Sequence, residues 1–219
     1  KQVSNAILSG ANFLSLHPDR PIKSCNYVPI EVAAMGGKVD ALDSMLNFMP
    51  ELEFDLEKKF LGGILIKAVQ AGRTEVVKYL VNARSAVYLQ DSYLCQQAIM
   101  HHAPTALLSF LLERYQNVPE LSVPFGRHGD FFLHLAVRFG NHKAFAFLFY
   151  KTSIQKNSLN GQGLRAINLV LSLNRKTFIE KLFKIAPRIK HEWTDEFRNN
   201  LLHLAVLGNY SLWIQTLVN

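Results

Sequence analysis

The sequence predicts an all-α chain, folded as an α-solenoid of stacked helix–turn–helix repeats with short hairpin loops. Three observations carry that expectation. The chain repeats one pattern six times, an apolar strip, a turn and a second apolar strip, with turns 35, 30, 38, 34 and 35 positions apart. A two-helix pattern with a period in the thirties is the mark of a stacked array. The turn position is held by Gly37, Gly72, His102, Gly140, Asn174 and Asn209. A helix that stops and reverses needs a residue at positive φ, which Gly enters freely and Asn or His tolerates best among the others. Lastly, 49% of the 219 residues are hydrophobic and 19% charged, with 15 Phe, which is ample for a sizeable core.

Taken in order, residues 1–22 read as a partial repeat. Ala6-Ile7-Leu8 followed by Gly10-Ala11-Asn12 looks like the end of a second helix and its exit turn, and His17-Pro18 and Arg20-Pro21 then break any helix. The six full units are expected at about 23–57, 58–87, 88–125, 126–159, 160–194 and 195–219. In the first, the second helix spans Val39 to Phe48 and stops at Met49-Pro50. In the second, Thr74 is the expected cap of a helix that buries Val76, Val77, Leu80 and Val81 and turns Glu75 and Lys78 to water. The third has His101-His102 at its turn and Pro104 in the first turn of the next helix.

The fourth, FFLHLAVRFG-NHKAFAFLF, is the clearest copy. Before it runs the longest connection, Leu112 to Gly129, and Ala146 and Tyr150 are apolar where its second helix should face water. Either that connection packs over them, the favoured expectation, or an aromatic patch is left for a partner. The fifth opens on the turn-forming run Asn160-Gly161-Gln162-Gly163. Its second helix is expected to bury Phe178, Ile179, Leu182 and Phe183, with Glu180 and Lys184 as an i,i+4 pair worth about 0.2–0.5 kcal/mol. The sixth reaches Asn219 without a polar terminal cap, so a single repeat domain cut from a larger protein is expected.

At Leu133-His134-Leu135-Ala136, Leu202-His203-Leu204-Ala205, Pro29-Ile30 with Ala33-Ala34, and Gly72 with Glu75-Val76-Val77, the chain resembles the ankyrin repeat family. The resemblance covers about residues 23–219. Only Pro29 keeps the family's Pro and no copy keeps its Thr, so the Thr–His hydrogen bond that the family implies is missing or replaced. What the resemblance implies is a protein–protein interaction module that binds through a concave face, made of hairpin tips and the two residues before each turn. Carried onto this chain, the best candidates are Tyr27, Phe60, Met100, His101, Arg127, His128, Arg138 and Phe139, because aromatic and Arg side chains dominate interface energies. Arg138→Glu with Phe139→Ala is expected to weaken binding and leave the fold intact. Degenerate repeats with long connections also look like the ankyrin modules of bacterial effectors acting in a host cell. The alternative is a regulatory segment of a multidomain enzyme, channel or transcription regulator.

Charge adds a direction. Residues 1–114 hold 11 Lys/Arg and 11 Asp/Glu, whereas residues 115–219 hold 13 against 6, so the whole net charge of +7 lies in the second half. That favours an acidic protein partner there. Nucleic acid is not expected, because Phe178 and Phe183 fall on a buried stripe and no recognition motif accompanies the cations. The longest apolar run, Ala144 to Tyr150, is far short of the roughly twenty residues of a membrane span, so no insertion is expected. Cys25 and Cys95 are too few for a disulfide framework, which fits a reducing, cytoplasmic compartment, the host cytosol for an effector.

No catalytic, metal or cofactor site is expected. C-x-x-C, H-E-x-x-H, G-x-S-x-G and Walker-type loops are missing from the sequence. His134 and His203 share a column with Glu31, Ile66, Gln96 and Asn168, a repeated structural position rather than one special copy. Cys95 reads as a small buried hydrophobe. A non-enzymatic, monomeric scaffold is the resulting expectation.

Overall fold

The computed structural model describes residues 29–47, 54–83, 91–114, 124–151, 156–194 and 198–218. The expected partial repeat at 1–22, Tyr27, the stop at Met49-Pro50 and half of the 112–129 connection lie outside them. The described residues are mostly helical, and the one extended feature among them is an isolated bridge between Phe125 and Asp130. Two compact units divide the chain, one up to Arg114 and one from Tyr115.

In the first unit, α1 (Pro29–Met35) pairs with α2 (Val39–Asn47), α3 (Phe54–Gln70) with α4 (Thr74–Ala83), and α5 (Asp91–Met100) with α6 (Thr105–Arg114). The first helices pack side by side, α1 on α3 on α5, and so do the second helices, α2 on α4 on α6. In the second unit, α7 (Phe132–Arg138) pairs with α8 (His142–Lys151), and α12 (Leu201–Leu207) with α13 (Ser211–Val218). Helix α9 (Ala166–Ser172) lies between α7 and α12, and α10 (Lys176–Ile185) packs on α8. A single turn, α11 (Ile189–Glu192), follows α10.

The turns repeat in atomic detail. Gly37, Gly72, His102, Gly140, Asn174 and Asn209 all sit at positive φ, between 48° and 75°. At each, the turn residue's N–H bonds back three residues and the next N–H bonds back five. Thus Gly140 N–H donates to the Val137 carbonyl at 3.1 Å and Asn141 N–H to Ala136 at 2.8 Å. The same pair of bonds closes the turns at Gly37, Gly72, His102, Asn174 and Asn209. This is the Schellman closure, which satisfies carbonyls that a helix end would otherwise orphan.

The residue after the turn then starts the second helix. Lys38, Arg73, Asn141, Arg175 and Tyr210 each accept its first intrahelical bond. Arg73 therefore holds the cap position in place of the expected Thr74, which stands one residue inside the helix. The third copy inserts Pro104, which accepts from Leu108. Four residues before the turn residue stands Ala, or Val in the fifth copy: Ala33, Ala68, Ala98, Ala136, Val170 and Ala205, all buried. A small residue there lets neighbouring helices approach at interior packing density.

The apolar stripes fall where the 3.6-residue period puts them. Val76, Val77, Leu80 and Val81 are buried, as are Phe178, Ile179 and Leu182, whereas Phe183 is only half-buried. Fully burying such a side chain contributes about 1.5–3 kcal/mol. Glu180 pairs with Lys176 at 3.9 Å instead of with Lys184.

Helix α3 departs from the expected hairpin. It runs unbroken from Phe54 to Gln70, so Lys59 and Phe60 stand on a helix rather than at a tip, and the boundary at 57/58 falls inside it. The run Phe54-Asp-Leu-Glu-Lys-Lys-Phe-Leu61 is rich in helix formers and has no Pro or Asn to stop it. Gly62 and Gly63 cost about 1 kcal/mol each relative to Ala but do not break the helix.

Among the described residues, the segment after α10 meets α8, while residues 115–123 of the earlier connection, on which the expected cover falls, lie outside them. Trp193 is buried against Phe145, ring centroids 4.6 Å apart, and Glu192 accepts a hydrogen bond from the Tyr150 hydroxyl. Phe125 packs instead on Phe132, at 5.2 Å.

Candidate protein-binding surface

The second unit carries two hairpin tips that interlock. The first, Phe125 to Asp130, is closed by reciprocal backbone bonds of 3.0 and 2.9 Å, with Gly126 and Gly129 at positive φ. The second, Asn160 to Leu164, is folded around the Asn160 side chain, whose Oδ1 accepts from the N–H groups of Gln162 and Leu164 at 3.0 Å. Gly161 N–H donates to the His128 carbonyl at 2.8 Å, joining the tips. A Cβ on Gly129 would come within 2.8 Å of the Gly161 amide nitrogen, so only glycine permits the approach.

Asp130 lies at the centre of this junction. It is buried, and its carboxylate accepts Arg138 Nε at 2.7 Å, an Arg138 terminal nitrogen at 3.2 Å and Asn160 Nδ2 at 2.8 Å. Burial by itself would raise the Asp130 pKa. The hydrogen bonds from Arg138 and Asn160, with the positive charge of Arg138 and a smaller contribution from His134, outweigh it and hold the carboxyl below the ordinary 3.8. Arg138 reaches on to Gln162 Oε1 at 3.3 Å, so one guanidinium serves both tips.

His134 ties the same two copies from beneath. Its Nδ1 accepts from the Phe131 backbone N–H at 3.4 Å, and its Nε2 donates to the Leu164 carbonyl at 2.8 Å. That pattern needs the neutral ring. Burial, first, pushes its pKa below 6.5, and the Arg138 charge acts the same way against the Leu164 carbonyl and Asp130. No Thr takes part, and the bond to the ring comes from the backbone N–H before α7. In the last copy Asn200 supplies it: its N–H meets His203 Nδ1 at 3.3 Å, and its Oδ1 caps Leu202 and His203 N–H.

A second link recurs in both units. Arg73 Nε donates to the Met35 carbonyl at 2.6 Å, and an Arg175 terminal nitrogen to the Arg138 carbonyl at 2.5 Å. In each case the residue after one turn reaches the last helical residue before the preceding turn.

The candidates named from sequence distribute unevenly. Arg127, His128, Arg138 and Phe139 are brought to the neighbourhood of the interlocked tips. Arg127 is exposed and its Nε contacts His128 Nε2 at 3.0 Å, and the Phe139 side chain is 39% exposed beyond the end of α7. Arg138 is a holding residue: its charge is engaged by Asp130, and a glutamate there would set two carboxylates together in a partly buried site. Arg138→Glu therefore disrupts the junction instead of leaving the fold intact. Met100 is half-buried and His101 exposed, both in the first unit. Phe60 stands on α3, its side chain outside the described residues, as is Tyr27.

Sequence reasoning placed Asn160 and Gln162 in a turn-forming run but missed the union of Asp130 with Arg138 and Asn160. The motif occurs in one pair of copies only, so no column of the repeat signals it. No group of three or more potential metal-ligating side chains occurs among the described residues, nor any helix long and apolar enough to cross a membrane. A scan against protein-family models finds no match, and neither does a search of curated proteins.

Proposed function

We propose that the chain is a divergent ankyrin-type repeat module whose work is recognition of another protein, with an acidic surface favoured by the second unit. The observation that carries this reading is the turn: six helix pairs close with the same positive-φ geometry at a period in the thirties. Such units bury their apolar faces on one another and leave tips and pre-turn residues for partners. In the second unit those positions carry Arg127, Phe139 and Gln162 on a junction held rigid by Asp130, Arg138 and Asn160. A pre-organised surface loses little entropy on binding.

The test is Phe139→Ala with Arg127→Glu, Arg138 being left intact. Both side chains are exposed, so helical circular dichroism and the melting curve should not change. Quantitative affinity capture should show partner binding weakened tenfold or more, the size expected for loss of an aromatic or Arg anchor. Equal capture by the variant and the wild type would remove the tips as the site.

A further inference from the structure

The surplus positive charge of the second unit is not concentrated at the tips. Helix α10 turns Lys181, Lys184 and Ile185 to solvent, and Arg188 follows in the turn before α11. Among the described residues, Lys181, Lys184 and Arg188 form no ion pair. Among the described residues the two exposed acids nearby are engaged, Glu180 with Lys176 at 3.9 Å and Glu192 with the Tyr150 hydroxyl. Helix α8 packs on α10, and Tyr150, 41% exposed, stands at its far end within the electrostatic reach of Arg188. Ile185 is 49% exposed among these cations.

This combination selects a partner chemistry. An acidic protein site is best gripped by the planar fork of Arg, whereas two of the three cations are Lys, compact point charges on flexible stems. A diffuse sheet of anionic headgroups needs no fork geometry and accepts such charges at about 1 kcal/mol each. An aliphatic side chain and a tyrosine standing among them can enter the boundary between headgroups and acyl chains.

We propose that the second-helix layer of this unit, around Lys181, Lys184, Ile185, Arg188 and Tyr150, is an adsorption surface for an anionic lipid bilayer. The chain rests on the membrane by charge and a shallow apolar contact, without crossing it. This surface is separate from the tips and does not depend on the protein-recognition reading.

Vesicle co-sedimentation tests it, using phosphatidylcholine alone and phosphatidylcholine with phosphatidylserine. The wild type should bind only the anionic vesicles, and binding should fall steeply as salt is raised. Lys181→Gln should weaken binding about fivefold, the fold-change equivalent to one lost cation. Lys181→Glu with Lys184→Glu and Arg188→Glu should abolish it, with helical circular dichroism checked for each protein. Ile185→Ser should weaken it several-fold at constant charge. The Phe139→Ala, Arg127→Glu variant should bind vesicles much as the wild type does, which separates this surface from the tips. Absence of wild-type binding, equal binding to zwitterionic vesicles, or undiminished binding by Lys181→Gln and the triple variant would each overturn the proposal. So would retention by an immobilised acidic polypeptide with none by anionic vesicles.

Discussion

Asp130 and His134 show how much a single residue carries in the second unit. Removing Arg138 leaves a buried carboxylate with only Asn160 to answer it, and Arg138→Leu should cost about 3 kcal/mol in chemical denaturation. Acidification tests both groups. The folded pKa of His134 lies below 6.5, so the unfolded chain takes up a proton first, and stability contributed above 6.5 is lost as pH falls toward the folded value. The Asp130 carboxyl is also held low, so its contribution is present above 3.8 and is lost as pH falls through its lower folded pKa. Denaturation midpoints measured against pH should therefore fall in two stages, and His134→Gln should flatten the upper one. A pH profile unchanged by that substitution would show that His134 is not neutral and buried. Arg138 was legible as a prominent side chain near a turn, but its role was not. Its partner Asp130 lies eight residues earlier across a hairpin, and Asn160 lies thirty residues beyond Asp130 in the next copy.

At the scale of the element, the turn residues differ in what surrounds them. Gly140 sits at φ +70° with open space where a Cβ would go, whereas a Cβ on Gly72, at +67°, would meet Pro104 Cδ at 2.8 Å. Gly140→Ala should cost about 1–2 kcal/mol, the penalty of a left-handed Ala alone. Gly72→Ala should cost more, because the next copy's turn must also shift, and thermal melts of the two variants would rank them. Asn174→Gly should be neutral or stabilising, within about 1 kcal/mol. The six positions were readable in the sequence because positive φ restricts residue type so strongly. Helix α3 was not readable as one element. The same Gly that closes a turn elsewhere is tolerated inside a helix when its flanks favour helix, and local pattern does not separate the two cases. The packing of Trp193 on Phe145 of α8 was not readable for a related reason. Apolar residues announce that they will be buried, but not by what, and Trp193 arrives from the far side of α10.

For the molecule as a whole, the stacking of small residues is the quantity to test. Ala136 is fully buried on α7, the helix that meets α9, and Ala136→Arg should cost several kcal/mol and abolish a cooperative melt of the second unit. An unchanged melt would show that the helices are not in this register. The sequence by itself determined the helical class, the six turns, the buried stripes of α4 and most of α10, and the concentration of charge in the second half. These follow from rules acting within a few residues, or from a period that repetition makes visible. Only the tertiary structure decided that Arg138 and Asn160 hold a buried carboxylate, that His134 reaches the Leu164 carbonyl, and that arginines after two turns clasp the preceding copy. All but the Asp130–Arg138 pair join residues about one repeat apart in the chain, and each occurs in only one or two copies. Neither local periodicity nor the repeat column records them, and proximity in space alone brings them about.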